Sequence, residues 1–183
     1  MGGTPEPSIR SADGPDAEAL AGVHARASRA AFSSLVPADV LTRIASVEAR
    51  VELWTERLAA PPLGTHTYVA EVAGRIVGLV DVGPSRDDDH DPGAVGEVGV
   101  LYVDPAHWGR GIGRELLEHA VDRLRSRGLA SATLWTLATS TRTRSFYEWA
   151  GWRPDGAERP LLYDASLTEV RYELPLRDGP SAL

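Results

Sequence analysis

Three glycines stand on alternate positions in the segment HWGRGIGREL, His107–Leu116, where a strand pattern gives way to a helix pattern. Glycine in or beside a helix costs roughly 0.5–1 kcal/mol relative to alanine. Three of them within five residues therefore indicate that something must approach the main chain closely. The amides at a helix N-terminus are unpaired and carry about half a positive charge, so the pattern favours an anion such as phosphate.

Two common phosphate-binding motifs do not fit this segment. A dinucleotide-binding turn places G-x-G-x-x-G directly after its strand, whereas Gly109, Gly111 and Gly113 come six to ten residues after the strand that ends at Val103. This spacing argues against a nucleotide-binding oxidoreductase. The chain has no lysine, which excludes the phosphate loop that depends on lysine and also excludes Schiff-base chemistry. An anion site of another kind remains.

Length and composition predict one soluble domain over residues 1–183, with flexible tails at 1–7 and 177–183. Hydrophobic residues make up 43% and charged residues 25% of the chain, which is typical of a soluble globular protein. No apolar run approaches the roughly 18 residues of a membrane span, and the polar first residues do not resemble a signal peptide. We therefore expect a cytoplasmic protein without a membrane partner.

Charge and cysteine content narrow the function further. The chain has no cysteine, which excludes disulfides, thiolate metal sites and a cysteine nucleophile. Its net charge of −7 argues against nucleic acid and mildly favours a cationic substrate. The acidic run Asp87–Asp91 is interpreted as a solvated loop, because adjacent residues do not all converge on one ion. It also offers a surface that attracts a cationic substrate, and the sequence leaves this open. No metal is expected.

The hydrophobic pattern alternates between strand and helix periods. His24 and Trp54 lie on apolar helix faces, so we expect both to pack in the core. The order predicts a mixed α/β domain around one sheet. The predicted elements are a strand at 8–10, helices at 16–32 and 46–59 separated by a break at Pro37, a hairpin at 66–82 turning at Ala73-Gly74, a strand at 97–103, a helix that follows the glycines and stops at Gly128, a strand at 130–138, a helix at 140–151 and strands at 161–165 and 168–176.

The stretch from Glu97 to Arg153 resembles the core of the GNAT superfamily of acyl-CoA-dependent N-acetyltransferases. Four features coincide in register: a strand ending in Leu-x-Val, an Asp-Pro turn, the glycine loop and a later helix with Phe-Tyr-Glu-x-Ala-Gly. The element order is also that of the family, so the resemblance covers most of the chain. It implies an α/β (α+β) fold, with a mixed central sheet of about six to seven strands flanked by about four helices.

The resemblance also implies a site for acetyl-CoA as co-substrate. In the family, a strand backbone pairs with the pantetheine amides and the glycine loop holds the pyrophosphate. The first signature position, usually Arg or Gln, is Trp108, so Arg110 and Arg114 are expected to supply the charge. The frequent Asn before the last core helix is Ser140, whose hydroxyl still offers one hydrogen bond. The implied cofactor residues are Leu101, Tyr102, Val103, Trp108, Gly109, Arg110, Gly111, Ile112, Gly113, Arg114, Ser140 and Tyr147.

Acetyl transfer to an amine needs a neutral nucleophile. An amine of pKa near 10.4 is neutral in only about one molecule in two thousand at pH 7, so a base or a desolvating pocket must contribute. Tyr147 stands where the family often has its acid; the alternative is passive packing against the sheet. Glu97 is the candidate base, acting through a water and touching the substrate; the alternative is an exposed carboxylate at a strand end. Phe32 is expected to shape the acceptor pocket.

The sequence therefore predicts an N-acetyltransferase in which an amine attacks acetyl-CoA directly in a ternary complex, since no cysteine is present to carry an acyl group. The alternative is an inactive acyl-CoA-binding sensor or interaction module. The acceptor is a primary amine on a small molecule or a peptide. Members of the family often form homodimers, and the sequence does not decide this for the present chain.

Overall fold

A computed structural model describes residues 6–177. Most of the predicted tails, residues 1–5 and 178–183, lie outside this part of the chain. Within it, no helix has the length and apolar character needed to cross a membrane. The helices are α1 (Ala17–Phe32), α2 (Ala38–Ile44), α3 (Val47–Ala59), α4 (Ile112–Ser126) and α5 (Thr141–Trp149), and the strands are β1 (Ser8–Ser11), β2 (His66–Val72), β3 (Arg75–Pro84), β4 (Val95–Val103), β5 (Ser131–Leu137), β6 (Arg153–Leu161) and β7 (Asp164–Pro175).

The seven strands form one mixed sheet in the order β1-β2-β3-β4-β5-β7-β6. Strands β4 and β5 pair in parallel, whereas β1 pairs with β2, and β7 with β5 and β6, antiparallel. The predicted α/β fold class is thereby confirmed, and so is the tight turn at Ala73-Gly74, where both residues have positive φ. The predicted break at Pro37 is where the short additional helix α2 begins, with this proline as its N-cap.

The described residues divide into two compact units, 6–81 with 100–119 and 82–99 with 120–177. In the first unit, α1 and α3 pack together over β2 and β3. Leu20, Val23, Trp54, Val69 and Leu79 form the core of this unit and are completely shielded from solvent. The predicted amphipathic faces of the first and third helices therefore point inward, as the 3.6-residue period requires.

One buried polar pair lies in the core of this unit. The Trp54 indole Nε1–H donates a hydrogen bond to Nδ1 of His24 at 3.3 Å, and the His24 ring stacks on Tyr102 with the centroids 4.3 Å apart. Burial, together with the charge of Arg50, lowers the pKa of His24 to about 3. The imidazole is therefore neutral at physiological pH, and the predicted packing role of His24 is confirmed.

In the second unit, β5 pairs with β7 along its whole length, from Ser131 to Leu137. Trp152, Tyr172, Leu124 and Leu134 are its largest completely buried side chains. Gly96 in β4 has no room for a side chain, because a Cβ there would lie 2.8 Å from Leu124 Cδ2. This glycine lets the end of α4 pack directly on the strand.

The prediction for the last two strands is wrong in part. The segment 161–165 was expected to be a strand, but Leu162 and Tyr163 form the turn of a hairpin whose first strand is β6. The sequence of β6, RPDGAERPL, contains two prolines and a glycine, which disfavour a strand. They are tolerated because β6 is the edge strand and its register with β7 is interrupted between Pro154 and Glu158.

The low pKa of His24 predicts a pH-dependent stability. The unfolded chain binds a proton on this group below its ordinary pKa of 6.5, whereas the folded chain does not until about pH 3. Acid therefore favours unfolding, and this group alone should lower the free energy of unfolding by about 2 kcal/mol between pH 7.5 and pH 5. Urea unfolding of His24→Gln should lack this loss, and the exposed His66→Gln should keep it. An unchanged pH dependence in His24→Gln would contradict the assignment.

Candidate active site

The glycine segment presents bare backbone at the start of α4, in the first unit. Gly109 and Gly111 have φ values of +77° and +85°, which residues with side chains rarely adopt. The first hydrogen bond of the helix runs from the Glu115 amide to the Gly111 carbonyl at 3.0 Å. The amides of the three residues before Glu115 therefore have no carbonyl to bind within the helix.

The space beside Gly109 and Gly111 is open. A Cβ at Gly109 would meet no atom within 4 Å, and one at Gly111 would meet only Glu115 Oε1, at 3.7 Å. Crowding by neighbouring atoms therefore does not explain Gly109 and Gly111; their positive φ favours glycine, and the open space leaves room for an anion at the start of the helix. The segment fits the pyrophosphate of a nucleotide-type cofactor by this test.

A glycine that sequence reasoning missed sets the position of the segment. A Cβ at Gly78 in β3 would lie 2.8 Å from Leu116 Cδ1, 3.2 Å from the Tyr102 carbonyl oxygen and 3.4 Å from Ile112 Cγ2. The first turn of α4 therefore rests directly on β3. An isolated glycine within a strand pattern indicates such a close approach, and this pattern could have identified Gly78 from the sequence.

The turn between β4 and the glycines is closed by side chains. Trp108, the residue in place of the usual Arg or Gln, donates its indole N–H to the Val103 carbonyl at 2.8 Å. Asp104 accepts the Ala106 amide at 3.0 Å and forms an ion pair with Arg26 at 2.6 Å. Trp108 therefore holds the loop against the strand end, where the family residue brings charge.

The two arginines expected to supply that charge differ. Arg114 lies in the first turn of α4 and donates to Glu118 at 2.7 Å, one turn further on. Arg110 is exposed and forms no ion pair with any residue that the structure describes. Arg110 is therefore the cation available to an anion at these amides, and its role remains a prediction.

Ser140 and Tyr147 lie in the second unit, at the start of α5 and within it. Ser140 is buried and its hydroxyl donates to Thr143 Oγ1 at 2.8 Å, so in this structure it serves the helix start. Tyr147 is 6% exposed, and its ring packs against Phe146, Trp152 and Tyr172, with centroid distances of 5.3, 6.2 and 6.3 Å. Its packing is thus clear, and its role as an acid remains a prediction.

Glu97 is a buried carboxylate rather than an exposed one. Only 4% of the residue is exposed, so the alternative of a solvated strand end is wrong. Arg86 donates to it from its backbone amide at 3.1 Å, from Nε at 3.0 Å and from Nη2 at 2.5 Å. Oε2 accepts two of these hydrogen bonds and Oε1 accepts one, so Oε1 can accept a further hydrogen bond.

The acidic loop around Asp87 is anchored rather than freely solvated. Arg171 is buried and its guanidinium binds Asp87, Asp89 and Asp155 at 3.1, 2.7 and 2.6 Å. The Trp135 indole N–H also donates to Asp87, at 3.1 Å. Arg171 lowers the pKa of Asp89 to about 2. Asp88, Asp89 and Asp91 are exposed, as expected of a solvated loop, whereas Arg171, an arginine distant in sequence, holds Asp87 and Asp89 in place.

The same loop contains a geometric candidate for a cation. Ligand atoms of Asp87, Asp89 and His90 lie within 4.8 Å of one another. Arg171 already binds both carboxylates, so it competes with an ion for these oxygens. Asp88 and Asp91 are exposed, and attraction of a cationic substrate by this loop stays a prediction.

Phe32, the residue expected to shape the acceptor pocket, is the last residue of α1 and is half-buried. It lies in the first unit, as do Leu101–Val103 and the segment 108–114, which the Trp108–Val103 hydrogen bond brings together. Glu97, Ser140 and Tyr147 lie in the second unit. Sequence reasoning placed each of these residues on the correct type of element.

Comparison with known proteins gives a consistent result. The sequence model of the "Acetyltransferase (GNAT) family" matches residues 38–152. A mycothiol acetyltransferase of Beutenbergia cavernae is 44% identical over 61 residues, 33% of this chain and 20% of that protein. An uncharacterized N-acetyltransferase of Archaeoglobus fulgidus is 37% identical over 79 residues, 43% of this chain and 54% of that protein. The chain thus spans less than two thirds of either relative.

A solved structure shares the fold. The PaiA N-acetyltransferase of Thermoplasma acidophilum, solved in complex with coenzyme A, superposes with a TM-score of 0.69. It is 16% identical, and the match covers 91% of this chain and 98% of that one. The family match extends over more than half of the sequence and includes the glycine segment and α5. The chain therefore belongs to the acetyltransferase (GNAT) family.

Proposed function

We propose that this protein transfers an acetyl group from acetyl-CoA to a primary amine, by direct attack in a ternary complex. The observation that carries the proposal is the open space beside Gly109 and Gly111, at the start of α4, where the first turn of a helix presents amides that its own carbonyls do not bind. A Cβ at Gly109 would meet no atom of the described residues within 4 Å, and the family to which the chain belongs is one of acetyltransferases.

In this proposal, the first unit binds the cofactor. The amides at the start of α4 and the side chain of Arg110 hold the pyrophosphate, and the helix dipole adds to their attraction. The backbone of Leu101–Val103 pairs with the pantetheine amides, as an added strand would. Bound acetyl-CoA supplies a thioester that a neutral amine attacks. An amide near Leu101 stabilises the charge that develops on the carbonyl oxygen.

Two residues of the second unit are proposed for proton transfer. The Tyr147 phenol donates a proton to the departing thiolate. Glu97 takes the proton of the amine through a water. No cysteine is available to form an acyl-enzyme, which supports direct attack. The acceptor class is a primary amine on a small molecule or a peptide.

The first test is calorimetric titration with acetyl-CoA, using NAD as the control ligand. We expect acetyl-CoA to bind and NAD not to bind, because the glycine spacing suits the first and not the second. A panel of polyamines, amino acids, aminoglycosides and peptide N-termini then identifies the acceptor by release of free CoA. Binding without acetyl transfer to any amine would favour the inactive sensor, and absence of binding would refute the cofactor site.

A side chain at Gly111 should weaken cofactor binding. Gly111→Val places a Cβ and two methyl groups where the pyrophosphate sits, and it also strains a backbone with φ of +85°. Gly74→Val provides a matched control, since Gly74 has φ of +74° and open space but lies at a hairpin turn in the same unit. We expect the affinity for acetyl-CoA to fall at least tenfold in Gly111→Val and to stay unchanged in Gly74→Val. Equal affinities would show that the phosphate site lies elsewhere.

Removing the proposed acid should slow turnover and leave binding intact. Tyr147→Phe keeps the aromatic packing but loses the phenol oxygen, so we expect kcat to fall roughly 10²-fold or more. The dissociation constant of acetyl-CoA, measured by calorimetry, should change little. An unchanged kcat with the acceptor found in the panel would remove this role from Tyr147.

A further inference from the structure

A buried phenol lies beneath α5 in the second unit. Tyr172 in β7 is completely shielded from solvent. Its hydroxyl donates to Glu148 Oε1 at 2.7 Å and accepts from Arg144 Nε at 2.9 Å. Both partners belong to α5, so one atom of the sheet is joined to two successive turns of the helix.

The Tyr172 hydroxyl bridges Arg144 and Glu148, which could otherwise pair directly. Arg144 and Glu148 are four residues apart on the helix, a spacing at which they can pair directly. The Tyr172 hydroxyl is inserted between them, and a buried hydroxyl without partners costs free energy. Burial raises the pKa of Tyr172, so the phenol stays protonated and remains a donor. The hydroxyl therefore links the two side chains and restricts where both can lie.

The network also holds the segment that precedes α5. A second guanidinium nitrogen of Arg144 donates to the Ala138 carbonyl at 3.1 Å, just before α5 begins. The same arginine is thus tied to the segment before the helix and to the strand beneath it. These contacts define where α5 lies along β7 and how it is rotated about its axis.

Tyr147 lies on the turn that this network holds. It precedes Glu148 directly and follows Arg144 by three residues. Its ring packs on Tyr172 and Trp152, at centroid distances of 6.3 and 6.2 Å. A rotation of α5 moves the hydroxyl of Tyr147 further than the rest of that side chain, because the hydroxyl lies furthest from the helix axis.

We propose that Tyr172, acting through Arg144 and Glu148, is a positioning residue that sets the orientation of Tyr147. This inference rests on the proposed function, in which Tyr147 is the acid. Tyr172 does not itself touch the reacting groups. Its hydroxyl is the part that matters, because the ring alone maintains the packing of the core.

The test is a double-mutant cycle between Tyr172→Phe and Tyr147→Phe. In the wild-type background, Tyr172→Phe should lower kcat roughly tenfold, and the dissociation constant of acetyl-CoA should stay within about twofold. In the Tyr147→Phe background it should have no further effect on kcat. Tyr163→Phe, which removes a phenol oxygen at the β6–β7 turn, is the matched control and should leave both quantities unchanged.

A readout independent of activity accompanies the cycle. Hydrogen exchange of the α5 amides should be faster in Tyr172→Phe than in the wild type and unchanged in Tyr163→Phe. Glu148→Ala provides a second variant that folds even if the core substitution does not, because Glu148 is exposed. It should reduce kcat in the same direction, since it removes the acceptor of the phenol.

The outcomes separate the two proposals. Equal reductions of kcat by Tyr172→Phe in both backgrounds, or no reduction in the wild type, would overturn the positioning role and leave the acid assignment untouched. If Tyr147→Phe retains full activity, the acid assignment itself fails. If Tyr172→Phe does not fold, the double-mutant cycle is measured with Glu148→Ala in its place. An equal effect of Glu148→Ala on kcat with and without Tyr147→Phe would then overturn the positioning role.

Discussion

The proposed cofactor site depends on one close approach, that of the first turn of α4 to β3. A Cβ at position 78 would lie only 2.8 Å from Leu116 Cδ1. Only glycine therefore permits this contact without a shift of its neighbours. The contact fixes the height of the helix above the sheet, and with it the direction of the amides that precede Glu115. The positive φ values at Gly109 and Gly111 then turn the chain from the strand end into the helix. A site made largely of backbone, with Arg110 as its cation, does not need a charged side chain at position 108, so Trp108 is compatible with such a site.

The second unit is held by hydrogen bonds of a different kind. Here single side chains join parts of the chain that are far apart in sequence. Arg171 binds acids more than eighty residues away, and Tyr172 joins β7 to α5. Removing one partner of such a buried network costs more than losing a surface ion pair, since the other partners remain desolvated. These links hold the loop at Asp87 and the helix that contains Tyr147.

Local pattern predicted all the described α-helices except α2, together with the hairpin at Ala73-Gly74 and the glycine segment, because each depends on residues close in sequence. The strand β6 was missed, because an edge strand owes its conformation to pairing with β7 and not to its own composition. The same reason applies to Glu97 and Asp87. Arg86 is 11 residues from Glu97 and Arg171 is 84 residues from Asp87 in sequence, and only the fold brings each pair together. A glycine within a strand pattern indicates that another part of the chain comes close at Gly78. The sequence does not show that this part is Leu116.

The ion pairs of this protein have a consequence for the conditions in which it works. Their cations are arginines, since the chain has no lysine, and an arginine side chain keeps its charge beyond pH 12. The pairing of Asp89 with Arg171 lowers the pKa of that carboxyl to about 2, so the link persists from mild acid upward. Below its pKa, an amine becomes about tenfold more abundant in its neutral form with each pH unit. These ion pairs therefore persist throughout the alkaline range in which neutral amines become abundant.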